Sequence, residues 1–320
     1  MSRERLEAYQ VIVYLAAILA GLALGAMLST PPKVLETLLW PVLGLLLYAT
    51  FTQVPLARLP EALSDTRFLT AAIIGNFLLL PIVVWGLLQL APATPAVRLG
   101  IMLVLLVPCT DWFIAFTQLG GGDTRHAIAF TPVSLLLQLL LLPFYVWAFS
   151  GQELALTLAR RELLEAFVGL ILVPLLVAFL TQAWVARKRQ RAAMLHALGW
   201  FPVPLLALVV FLIAASQVET VMASGGLLAR VTPLFIAFLA LAALIARLLA
   251  DMLRLPRRQG RVLAFSFATR NSFVVLPIAL ALPASFEVTA VVIVLQSLVE
   301  LLGMALFLWW VPRRLFPLSA

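Results

Sequence analysis

The sequence predicts an all-α integral membrane protein: ten transmembrane helices in two inverted five-helix repeats, with crossing discontinuous helices at the centre. Three observations carry this reading. Of 320 residues, 64% are hydrophobic and only 11% charged, with mean hydropathy +1.11, too apolar for the surface of a soluble domain of that length. The apolar runs last about 20 residues, enough for a ~30 Å hydrocarbon core, and they lack the period-two alternation of barrel strands. Ionisable residues are embedded in these runs at three places, Asp111, Arg270 and Glu300. A charge at bilayer depth costs several kcal/mol, and such residues usually line a substrate or ion pathway.

The first run, Val11 to Leu28, follows a short polar stretch and resembles a signal peptide in outline. It is too long for one, and further spans follow at once, so it reads as the first transmembrane helix. Breaking the chain at charged, Gly-rich and Pro-rich segments places spans at 11–29, 36–57, 69–90, 97–119, 127–149, 163–185, 199–217, 227–249, 261–282 and 288–311. With the N-terminus inside, cytoplasmic segments hold sixteen Lys and Arg residues, and outer loops hold five: Lys33, Arg98, Arg160, Arg161 and Arg230. This positive-inside bias places both termini in the cytoplasm, as an even span count requires, and the plasma membrane is the expected location. The net charge of +8 is dispersed over short loops rather than gathered on one face, which argues against nucleic acid as a partner. Cys109 is the single cysteine, so no intrachain disulfide forms. No Cys/His cluster has zinc spacing, and neither a metal nor a cofactor is expected.

The second half echoes the first at an offset of about 160 residues, dividing the chain into repeats 1–155 and 156–320 within one membrane unit. Cys109-Thr110-Asp111-Trp112-Phe113 lies opposite Thr269-Arg270-Asn271-Ser272-Phe273, and Gln138 and Trp147 lie opposite Glu300 and Trp309. Five spans is an odd number, so a duplication must be inverted across the membrane, a recurrent transporter design with interrupted helices near the midplane.

The interruptions are expected at prolines. Pro108 stands in the middle of the fourth span, where it removes a backbone donor and clashes with the preceding turn. The ninth span carries the polar run Ser266, Thr269, Arg270, Asn271 and Ser272 followed by Pro277, the second expected helix break. Asp111 and Arg270 are expected to pair, because an isolated buried charge is far more expensive than a hydrogen-bonded ion pair. Glu300 shares a helix face with Gln296 and Ser297, a setting that suits a proton carrier. The fifth span adds Thr131, Ser134 and Gln138, a stripe that bundle packing explains as well as a permeation path does. Asn76 and Gln53 are further interior polar residues that nothing in the sequence places.

At Val107-Pro108-Cys109-Thr110-Asp111-Trp112, Ala268-Thr269-Arg270-Asn271-Ser272-Phe273 and Gln296-Ser297-Leu298-Val299-Glu300, the chain resembles the bile acid:sodium symporter superfamily, and within it the arsenite efflux permeases of the arsenical-resistance type. The resemblance implies a panel and a core, the core holding two crossing broken helices. It also implies that Cys109 matches the functional thiol of the fourth span. In the ninth span those permeases carry Asn-Asn-Phe-Glu, whereas this chain reads Asn271-Ser272-Phe273-Val274. Asp111 and Glu300 are therefore the candidate proton-coupling acids. Arg270 could stand where a sodium ion would, so no sodium dependence is expected.

The expected function is export of arsenite, with antimonite as a second cargo, in exchange for protons. Trivalent arsenic is thiophilic, and a single thiol is a weak, reversible ligand. Cys109 is the expected metalloid ligand, with Thr110, Asp111, Arg270, Asn271 and Ser272 completing the binding set. The alternative is a transporter of an organic anion, its carboxylate or sulfonate held by Arg270 and a half-helix N-terminus. An intramembrane enzyme is disfavoured: an aspartyl protease needs two catalytic acids of one type, and Asp111 is the single aspartate within a span.

Overall fold

The computed structural model describes residues 10–28, 33–54, 64–110, 112–158, 165, 168–188 and 191–318. Among them the only strand-like feature is one isolated bridge, and the rest of the regular structure is helical. Helices α1 (Gln10–Met27) and α2 (Lys33–Phe51) are followed by α3 (Thr66–Leu90), which contains a π turn at Gly75–Leu79. Two short helices follow, α4 (Pro95–Leu105) and α5 (Trp112–Leu119), the two halves of the span 97–119 whose break was expected at Pro108. The long α6 (Thr124–Leu158) and α7 (Val168–Ala186) lead to α8 (Ala192–Leu198), α9 (Pro202–Ser216) and α10 (Val218–Ala223). Next come α11 (Gly225–Met252), α12 (Arg257–Ala268) and α13 (Ser272–Leu280), then α14 (Val288–Trp310), which ends in a π turn at Val311–Leu315.

Six helices among the described residues are long and apolar enough to cross a membrane. Their outer faces keep large side chains such as Trp85, Leu140, Leu180 and Leu244 exposed, as expected where lipid rather than water is the solvent. Lipid tails are as apolar as leucine, so close backbone approach has to hold such helices together. On α1, Gly21 and Gly25 provide it: a Cβ there would lie 2.4 Å from Phe211 O and 2.5 Å from Ala215 O of α9. Helices α1, α2, α7 and α9 pack on one another, while α3 to α6 and α11 to α14 pack around the two interruptions.

The π turn in α3 has an identifiable cause. Pro81 has no N–H to offer the Phe77 carbonyl, and the Tyr145 hydroxyl of α6 donates to that carbonyl instead. At the start of the turn, Gly75 is required by contact: a Cβ there would sit 1.9 Å from Phe267 Cζ of α12. The bulge thus brings the next residue, Asn76, against α12, where its Nδ2 donates to Ser266 Oγ at 3.0 Å.

Candidate functional site

Helix α4 ends at Leu105, and the chain runs non-helically through Pro108, Cys109 and Thr110 before α5 begins at Trp112. Helix α12 ends at Ala268, Thr269 is extended (φ −95°, ψ 138°), and α13 starts after the N-cap Asn271, whose side chain accepts the Val274 N–H at 3.4 Å. The two unwound stretches meet as an antiparallel bridge centred on Pro108 and Arg270. Cys109 N–H donates to Thr269 O at 3.2 Å and Asn271 N–H to Val107 O at 2.8 Å. Unwound backbone inside a bilayer must be satisfied by protein or a water-filled cavity, and here each stretch satisfies the other.

The register explains two residue choices. The bonds run between the flanking residues, so Pro108 and Arg270 form a non-hydrogen-bonded pair, which leaves its own backbone groups unused. Pro108 therefore loses nothing by lacking an N–H. Arg270 keeps a spare N–H, and Glu300 of α14 takes it, Oε2 accepting at 2.8 Å. The same oxygen accepts from Gln296 Nε2 at 2.8 Å. Ser272 Oγ donates to Gln296 Oε1 at 3.2 Å, and Ser297 Oγ donates to Ser272 Oγ at 2.7 Å. Glu300 thus ties α14 to the crossing through a chain of polar side chains.

The Arg270 side chain turns the other way, toward carbonyls. Nη1 donates to Leu105 O at 3.3 Å, and Nη2 donates to Asn76 Oδ1 at 3.1 Å, Ser266 O at 3.4 Å and Phe267 O. Cζ lies 5.1 Å from the centre of the Phe238 ring of α11. The residue is 2% exposed, and the Glu300 carboxylate attracts it electrostatically. Asp111 lies outside the described residues, and with it the expected pair with Arg270.

Cys109 is 2% exposed and Thr110 1%. Thr110 Oγ1 accepts from Asn271 Nδ2 at 3.1 Å, so the two halves of the expected binding set are bonded to each other. Beside them a small cleft separates α1 and α9 from α5, α13 and α14, walled by Tyr14, Trp112, Phe273, Leu206, Ser272 and Ser297. Tyr14 stacks on Trp112 with centroids 5.7 Å apart, and Phe273 meets Trp112 edge-on at 5.0 Å. Of the described expected binding residues, only Ser272 lines this cleft.

Pro277 requires a correction. It was expected to break the ninth span, but it lies inside α13, and the interruption falls at Thr269–Asn271 instead. The bridge and the Asn271 cap pull the backbone out of helix there, whereas a proline within a buried helix forfeits one hydrogen bond. In the fifth-span stripe, Thr131 bonds back to Ala127 O, while Ser134 and Gln138 are buried without hydrogen-bond partners among the described residues. Sequence reasoning named Asn76 without placing it. It quoted Trp112 and Phe273 within the motifs without giving them a role, and it missed Tyr14, which looks like an ordinary helix residue.

A second polar cluster lies at one end of the bundle. Asp65 caps α3 through the Phe68 N–H at 3.1 Å and meets His126 Nε2 at 3.1 Å and Gln259 Nε2 at 2.8 Å. His126 Nδ1 lies 2.9 Å from Asp123 Oδ2. Burial alone would raise the Asp65 pKa. The hydrogen bonds from Phe68, Gln259 and His126 outweigh it and hold the carboxyl below its usual value. At the same end, Arg261 donates to Gly120 O, Gly121 O, Pro312 O and Phe316 O, joining α5, α12 and the end of α14.

No curated protein matches this chain significantly. A family model does match it, over residues 40–224, a stretch that includes Cys109 and the first interruption but stops short of Arg270. An apolar helical bundle, an interrupted helix within the matched region and the match over more than half of the chain lead to one conclusion: this multi-pass membrane protein belongs to the sodium bile acid symporter family, a family of transporters.

Proposed function

We propose that the protein exports trivalent arsenic as uncharged arsenous acid, with antimonite as a second cargo, in exchange for protons. It acts as a transporter rather than an enzyme. The observation that carries this reading is the setting of Cys109, a lone thiol at the bridge between two interrupted helices, next to the bonded pair Thr110 and Asn271. Arsenic binds as its bond to Sγ forms and one hydroxyl departs as water, taking the thiol proton. Release reverses the step. When the pair separates, Thr110 and Asn271 are freed to hydrogen-bond the remaining hydroxyls, with Ser272 at the edge of the cleft. Glu300 and, on sequence grounds, Asp111 carry the exchanged proton.

We place this chemistry in ten spans forming two inverted repeats, 1–155 and 156–320, with α1, α2, α7 and α9 as panel and α3 to α6 with α11 to α14 as core. The recurring order of elements supports the repeat: α3 to α6 begin at 66, 95, 112 and 124, and α11 to α14 at 225, 257, 272 and 288. The plasma membrane is the proposed location, with both termini cytoplasmic. Reporter fusions at each end that are active only on the outer side would refute that orientation.

A second reading, transport of an organic anion, is favoured by the aromatic cleft of Tyr14, Trp112 and Phe273. In that reading Arg270 needs new partners, since both its terminal nitrogens already donate within the protein.

The test is uptake of As(III) by everted vesicles carrying the protein or Cys109→Ser, with an acid-inside proton gradient. Uptake that needs both the gradient and the thiol is expected. If neither protein takes up arsenite while the wild type takes up a bile acid, the arsenite reading is refuted in favour of the second.

A further inference from the structure

We infer that the Arg270 guanidinium is a tethered cation filling the oxygen cage where the two interrupted helices end, so that this member of a sodium-named family works without a bound sodium ion. The inference does not depend on which cargo is carried.

The cage follows from helix chemistry. The last carbonyls of a helix lack internal partners and carry the negative end of its dipole. Helices α4 and α12 both stop inside the bundle, and three of their terminal carbonyls, Leu105 O, Ser266 O and Phe267 O, converge. The π turn of α3 adds a fourth oxygen, Asn76 Oδ1. Half-helix carbonyl ends with such a side-chain oxygen are the usual ligands for a coupling cation in transporters built on discontinuous helices.

Here the charge is built into the chain. All four oxygens accept from Nη1 or Nη2 of Arg270, and the Phe238 ring lies 5.1 Å from its Cζ. A guanidinium stays charged throughout the physiological range, so it cannot vacate the site by losing a proton. A sodium ion entering the cage would have to displace these donors and sit beside a fixed positive charge. The cation that stabilises the crossing is covalently attached, and the coupling ion must act elsewhere.

The test compares thermal unfolding of the purified full chain in NaCl and in choline chloride at equal ionic strength. Wild type and Arg270→Lys should melt at the same temperature in both salts. Arg270→Ala, which opens the cage, should be stabilised by sodium over choline in a saturable manner, because a ligand that binds only the folded state raises its melting temperature. A saturable sodium stabilisation of the wild type overturns the inference. So does an Arg270→Ala protein that folds and shows no difference between the salts. If Arg270→Ala yields no folded protein in either salt, saturable binding of radioactive sodium to the wild type decides: its presence refutes the inference and its absence supports it. A wild type indifferent to sodium that also fails to carry arsenite sinks the proposed cargo while leaving the cage intact.

Discussion

Glu300 performs two separable jobs, and two substitutions divide them. Its Oε2 accepts both the Arg270 N–H and Gln296 Nε2, each at 2.8 Å. Glutamine retains an oxygen at the same reach and removes the charge. Hydrogen bonds to a charged group contribute about 1.5–3 kcal/mol against about 0.5–1.5 for neutral ones, so Glu300→Gln should cost roughly 2 kcal/mol over the two bonds. Glu300→Ala removes the same charge and also leaves two buried donors without that acceptor, a loss of roughly 3–5 kcal/mol at about 1–3 kcal/mol per stranded donor. Melting in detergent micelles should therefore rank wild type above Gln above Ala. Uptake driven by a proton gradient in everted vesicles should be lost in both variants, because neither side chain exchanges a proton. Gradient-driven uptake by Glu300→Gln at the wild-type rate would refute the proton-carrying role. Equal melting temperatures for the two variants would refute the account of the hydrogen bonds.

Three further outcomes follow from the packing and the polar contacts. Gly75→Ala puts a methyl group 1.9 Å from Phe267 Cζ; overpacking of this kind costs about 1–3 kcal/mol, and size-exclusion profiles should show less folded protein, partly restored by adding Phe267→Leu. The Asp65 carboxyl is held below its usual pKa, so its contribution is complete above the unfolded value of about 3.9 and is lost as pH falls through the lower folded value. Stability measured from pH 6 down to pH 3 should thus fall more steeply for wild type than for Asp65→Asn, and parallel curves would contradict this. Arg261→Ala strips four carbonyls of their donor; at about 1 kcal/mol per lost bond the bundle end should loosen, read as faster amide exchange at residues 120–122 and 313–316 with little change around α1.

Composition and run length alone determined the class of this protein and most of its helices. A span near 66–90 or 225–252 is legible because roughly 20 apolar residues have no other stable destination. Pro108 and the polar run of the ninth span likewise marked the two interruptions, since each conflicts locally with an apolar helix. The tertiary structure decided which groups answer one another. Pro277 was read as a break because proline opposes helix locally, yet the helix continues through it and unwinds at Thr269–Asn271, where a bridge from another helix supplies the lost bonds. Arg270 invites Asp111 as a partner because charge seeks charge, and that pair lies outside the described residues; the described side-chain acceptors of Arg270 are three carbonyls and Asn76. Those acceptors arise only where α4, α12 and the π turn of α3 converge. A side chain carries its charge and its hydrogen-bonding capacity in the sequence. The dipoles that answer it belong to helix ends, whose meeting point is set by long-range packing.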